Sequence, residues 1–130
     1  MSPELEEKLV REFPQLFRDY KSEATCMAWG MTCGDGWFDL VRETARRVVA
    51  LDSDAVALQV KEKLGGLSFH IVTQDRQARE ICIKACDASQ RICEECGCPG
   101  SLREDLDWIL TLCEECLKKA HKRVADAEAP

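Results

Sequence analysis

Apolar positions change their spacing along the chain, and each change marks an element. Leu5, Leu9, Phe13, Leu16 and Tyr20 recur at three or four residues, the stripe of an amphipathic helix. Ser2 with Pro3 gives that helix a start signal, with proline at its first position. Pro14 lacks an amide donor and disfavours helical dihedrals at Phe13, so a kink or restart is expected there. Lys21 to Gly36 has no regular period and reads as an apolar loop in which Cys26, Met27, Trp29, Met31 and Cys33 are spread among glycines. Asp35 is placed to cap the next helix. Trp37, Leu40, Val41, Ala45, Val48 and Val49 form that helix's core face, while Arg42, Arg46 and Arg47 lie elsewhere.

After Asp52-Ser53-Asp54 the period falls to two. Val56, Leu58 and Val60 alternate with Ala57, Gln59 and Lys61, and Leu67, Phe69 and Ile71 alternate with Ser68, His70 and Val72. Two strands near 55–63 and 67–73 are expected, with Gly65-Gly66 supplying the positive dihedrals of a tight turn. A helix continued through Lys63 is the competing reading. From Thr73 to near Glu95 the helical period returns through Ala78, Ile81, Cys82, Ala85, Cys86, Ser89 and Ile92.

The next segment carries the chemistry. Cys93-x2-Cys96 and Cys113-x2-Cys116 are separated by sixteen residues. Two residues between thiolates let a tight turn aim both sulfurs at one point, and two such pairs complete a tetrahedron around zinc. Gly97 suits a knuckle whose backbone turns sharply and presents amides to sulfur. Pro99-Gly100 marks a turn, residues 107–112 read as a short strand, and Leu117, Ala120, His121 and Val124 read as a helix. Knuckle, hairpin and a helix bearing the last two ligands is the order of a treble-clef finger; a zinc ribbon is the alternative. A redox Cys-x2-Cys is disfavoured because two matched pairs are present. Cys98 competes with Cys96 as a ligand, and the glycine after Cys96 favours Cys96. Cys26, Cys33, Cys82 and Cys86 are best read as small buried hydrophobes, with a second four-thiolate site as the other reading.

The fold expected is therefore α+β: a core with helices and a β-hairpin over 1–92, and a zinc finger over 93–130 packed on it as part of one cooperative domain. One structural zinc ion is the expected cofactor, because four thiolates leave no position for a substrate or an activated water.

Charge and composition narrow the function. The 130 residues hold 18 basic and 24 acidic side chains, a formal charge of −6, and nine cysteines. Four metal-bound thiolates and one zinc ion take that charge to about −8. No long apolar run and no export signal are read from the sequence, so a cytoplasmic chain with reduced thiols is expected. Residues 1–54, 55–92 and 93–130 carry −4, +2 and −4, which argues against a phosphate-binding stripe. His70 and His121 stand in no catalytic frame, and the chain has no asparagine, which disfavours a metal-dependent nuclease. No enzyme is expected.

Three stretches carry a resemblance: Gly34-Asp35-Gly36-Trp37-Phe38; Gln59-Val60-Lys61-Glu62-Lys63-Leu64-Gly65-Gly66-Leu67-Ser68-Phe69; and Cys93-Glu94-Glu95-Cys96-Gly97 with Trp108 to Cys113. Together they resemble a family of small uncharacterised bacterial and phage or prophage proteins. Leu64 stands where that pattern has phenylalanine, His70 where tyrosine is common and Cys116 where histidine often closes the site. The resemblance implies a phage-linked origin and no established activity.

Three functions follow as expectations. The first is a protein-interaction module, an inhibitor or adaptor of a host protein, binding through Trp29, Met31, Asp35 and Trp37. Of these, Trp37 is the one that also suits a core. The second is a nucleic-acid reader using Lys118, Lys119, Lys122 and Arg123, opposed by Glu94, Glu95, Glu114 and Glu115 around the same metal. A nuclease relative comes last.

Overall fold

A computed structural model describes residues 1–129, so Pro130 at the end of the expected finger lies outside the described residues. The chain is α+β. Helix α1 spans Pro3–Glu12, and the Ser2 hydroxyl accepts from the Leu5 amide at its start. Phe13 ends the helix with φ −128° and ψ 64°, outside the helical region that a following proline disfavours. No second helix restarts: residues 14–21 form consecutive turns. Phe13, Leu16 and Phe17 are nevertheless buried, so their spacing recorded a buried face rather than helical continuity.

The segment read as an apolar loop contains more order than its spacing revealed. A 3-10 turn, Cys26–Trp29, leads into a two-residue strand β1, Met31–Thr32. Strand β1 pairs in parallel with β2, Val56–Lys63, with Met31 opposite Val60 and Thr32 opposite Lys61. Strand β3, Gly66–Val72, pairs antiparallel with β2, giving the sheet order β1-β2-β3. The alternation that predicts these two strands is correct; a competing helix through Lys63 is not formed. The turn differs by one residue. Lys63 pairs with Gly66, so the two loop residues are Leu64 and Gly65, with φ of +52° and +84°. Gly66 sits on the strand instead, where an added Cβ would lie 3.1 Å from the Cys86 sulfur.

Helix α2, Phe38–Leu51, buries Val41, Thr44, Ala45 and Val48. Helix α3, Arg76–Ser89, is capped by the Asp75 carboxylate and buries Ala78, Ile81, Cys82, Ala85 and Ser89. Helix α3 packs on both β3 and α2, lying between the hairpin and the second helix. It stops well before the expected Glu95. Ser89 accepts from the Leu67 amide at 2.8 Å and donates to the Cys86 carbonyl, fastening the helix end to β3.

Around β1 one carboxylate is fully used. Glu6 is buried and accepts from the Met31 amide at 2.6 Å and the Tyr20 hydroxyl at 2.5 Å. Burial first, and then the Glu6 hydrogen bond, holds the Tyr20 hydroxyl well above the ordinary phenol range. Among the described residues no buried side-chain nitrogen or oxygen lacks a partner.

Beyond α3 come strands β4, Ser101–Arg103, and β5, Leu110–Leu112, paired antiparallel, then helix α4, Glu114–Glu128. Residues 107–109, expected in the strand, precede it. Leu112, Cys93, Cys116 and Ala120 form a small second core, separate from the one under α1, α2 and α3.

Candidate metal centre

Two chain reversals bring the four cysteines together. In the first, Cys93 donates its amide to the Cys98 carbonyl at 2.7 Å, and the Gly97 amide donates back to the Cys93 carbonyl at 2.9 Å with Gly97 at φ +81°. This is a closed knuckle that presents Cys93 and Cys96 on one side. In the second, Cys113 is the N-cap of α4 and its sulfur accepts from the Cys116 amide, so Cys116 lies in the helix's first turn. The hairpin β4–β5 spans the two reversals.

The result is a cluster in which the sulfurs of Cys93, Cys96, Cys113 and Cys116 all lie within 4.8 Å of one another. The Cys96 and Cys113 sulfurs are 3.6 Å apart. A disulfide needs about 2.05 Å, whereas a tetrahedron with metal–sulfur bonds of about 2.3 Å sets sulfurs about 3.8 Å apart. The spacing suits four thiolates around one metal ion, zinc by the chemistry of an all-sulfur tetrahedral set. Hydrogen bonding from the Cys116 amide at the helix start lowers the Cys113 thiol to about 7, while burial raises Cys116. Sulfurs this close share their protons unequally, and a bound cation makes thiolates of all four.

Cys98, the competing ligand, is exposed and outside the cluster. Cys26, Cys33, Cys82 and Cys86 are not gathered either, since the four-sulfur cluster is the one such group among the described residues. Burial raises Cys33 to about 12 and Cys82 to about 11, which leaves almost no thiolate at pH 8. Alkylation of the native, metal-loaded protein at pH 8 is therefore expected to mark the exposed Cys26 and Cys98 first and to spare Cys33 and Cys82, as peptide mass mapping would show. Equal labelling of all four would contradict these burials.

The residues expected to form a partner surface do not share one. Trp29 is 82% exposed, but Met31 is buried as the first residue of β1 and Trp37 is buried completely. Asp35 is exposed, yet it does not cap α2: its carboxylate accepts from the Ser2 amide at 2.7 Å, and the N-cap position belongs to Trp37 at the end of a 3-10 turn, Asp35–Trp37.

Gly34 to Trp37 instead forms a socket for the knuckle. The Gly34 amide donates to the Glu94 carboxylate at 2.9 Å, the Gly36 amide to the Glu94 carbonyl at 2.7 Å, and the Trp37 indole N–H to the Ile92 carbonyl at 2.8 Å. A Cβ on Gly36 would stand 2.2 Å from the Cys93 carbonyl oxygen and 2.6 Å from the Gly97 nitrogen. The backbones touch there because Gly36 has no side chain. A second attachment joins the other side of the finger to the core, where the Thr111 hydroxyl donates to the Gly65 carbonyl at 2.6 Å.

Compared with protein-family models, curated proteins and solved structures, the chain matches none of them. The resemblance read from the three motifs gains no support there. Two of those motifs, Gly34–Trp37 and the Gly65 turn, are the places where the third, the finger, is attached.

Among the described residues no helix is long and apolar enough to cross a membrane. His70 and His121 are both exposed, and His121 faces the Asp105 carboxylate at 3.2 Å.

Proposed function

We propose that the chain is a non-enzymatic protein-interaction module whose treble-clef finger is closed by one structural zinc ion on Cys93, Cys96, Cys113 and Cys116. The order of knuckle, hairpin and ligand-bearing helix start supports the treble clef over a ribbon. Four thiolates complete the tetrahedron, so the metal's part is to hold the finger's shape. The observation that carries the interaction reading is the pair of tryptophans left at the surface, Trp29 at 82% and Trp108 at 60% exposure, while Trp37 is used in the core. Large rigid aromatics of this kind anchor protein interfaces. An inhibitor or adaptor of a host protein, phage-linked as the motifs suggest and working in the cytoplasm, is the role in which a small acidic module with no catalytic frame makes most sense.

The nucleic-acid reading is disfavoured by the finger's own carboxylates. Arg123 pairs with Glu95 at 3.3 Å, Arg103 with Glu114 at 3.4 Å and Lys118 with Glu115 at 3.9 Å. Two of the four cations of that reading, Lys118 and Arg123, are thus already faced by acids, and on an acidic chain such cations release few counterions from a phosphate backbone.

Affinity capture from a cell lysate, run with and without nuclease, tests the interaction reading. The expected result is a specific protein recovered equally in both arms. Recovery that disappears with nuclease, or no protein partner at all, would overturn it.

A further inference from the structure

The geometry points to one surface for such a partner: the groove between α4, the β4–β5 loop and the knuckle, which we infer receives a basic amphipathic segment of another protein. This inference rests on the protein-interaction reading and names its surface.

The groove has a volume of about 630 Å³. Its floor is apolar, with Leu106 and Leu110 from the hairpin, Leu112 on β5 and Val124 on α4, and the half-buried Glu94 stands beside them. Trp108 stands beside them, 60% exposed, on the loop that forms one wall. Leu112, with Leu106 and Leu110 packed on it, belongs to the small core beside the buried cysteines, whereas Trp108 and Val124 lie outside that core. An aromatic left in water beside an apolar cleft suits an interface anchor.

Charge identifies the occupant. Asp35, Glu94, Glu95 and Asp107 line the groove, and Arg123 is the cation among the lining residues, a formal −3 for the whole. Arg123 is already engaged by Glu95. An acidic wall around an apolar floor repels nucleic acid and anionic lipid surfaces. It favours a segment that presents apolar side chains to the floor and lysine or arginine to the rim, the arrangement by which amphipathic helices enter hydrophobic grooves. The socket adds a further point: Asp35 lies in the Gly34–Trp37 socket with its carboxylate held by the Ser2 amide, and Glu94 accepts from the Gly34 amide, so these two acids line the groove together only while the finger is docked on the core.

The probe is a fluorescein-labelled peptide of leucine and lysine with leucines at helical i, i+3, i+4 spacing, compared with a twin carrying glutamate at every lysine. Fluorescence anisotropy on the zinc-loaded chain should show the lysine peptide binding at least about tenfold tighter than its twin and weakening with salt. Trp108→Ala should weaken it about tenfold, as the loss of an anchor does. The pair Glu95→Gln with Asp107→Asn should weaken it and flatten its salt dependence. Glu43→Gln on α2, outside the groove, should change neither. Zinc content measured on each variant shows that the finger is intact. Equal binding of the two peptides, or full affinity in Trp108→Ala with zinc retained, would overturn the groove. Lysate capture separates the two levels. If the wild type and Trp108→Ala recover the same partner equally, the interaction reading stands and the groove is wrong. If the wild type recovers none, the interaction reading falls, while the peptide result decides the groove.

Discussion

Cys93→Ser or Cys113→Ser should strip the protein of its zinc and melt the finger. Measured as zinc per purified chain, the metal should fall from about one to well below one half. Structural zinc contributes apparent binding free energies of about 10–16 kcal/mol in isolated fingers, comparable with or above the whole stability of a typical domain, about 5–15 kcal/mol. The small core of Leu112 and Ala120 beside the two buried cysteines has little else to sustain it. Losing one ligand should therefore remove ordered β4, β5 and α4, seen as lost far-ultraviolet helical signal and a lower melting temperature. Cys98→Ser, outside the sulfur cluster, should leave zinc content and melting unchanged. A Cys113→Ser protein that kept full zinc and full stability would show that these sulfurs are not its ligands.

Gly36→Ala should destabilise the chain more than the about 1–3 kcal/mol that overfilling a core usually costs. Its effect isolates the close approach, because Gly36 is not among the glycines at positive φ and alanine fits its backbone. The added methyl group meets the Cys93 and Glu94 carbonyls and the Gly97 nitrogen, which are backbone atoms of the knuckle with no rotamer to move aside. The knuckle must lift, and the indole bond from Trp37 to Ile92 and the Gly34 amide bond to Glu94 are disturbed with it. Chemical denaturation followed by tryptophan emission should show the loss. A partner surface at Gly34–Trp37 predicts the opposite, a variant as stable as the wild type with weaker partner capture.

The hairpin strands and the four-cysteine cluster were legible because each depends on short-range spacing. A period of two predicts β2 and β3, and Cys-x2-Cys predicts a reversal. The misread positions depend on partners far away in sequence. Met31 looks like a surface methionine in a loop until it pairs with Val60 and gives its amide to Glu6. Asp35 looks like a helix cap until it meets Ser2. Trp37 suited the core from the outset, but nothing local shows that its N–H reaches Ile92. One signal was present: two glycines flanking an acid directly before a tryptophan mark a backbone that another backbone approaches closely. The groove beside Trp108 had no such signal, since Leu106, Leu110 and Val124 converge only after the hairpin folds onto α4.

X-ray absorption at the zinc edge of the purified chain tests the centre most directly. Four sulfur neighbours at about 2.3 Å, with no nitrogen or oxygen in the first shell, are expected from Cys93, Cys96, Cys113 and Cys116. A shell with fewer than four sulfurs, or with histidine nitrogen in it, would contradict the four-cysteine centre on which the finger, its socket and the acidic groove depend.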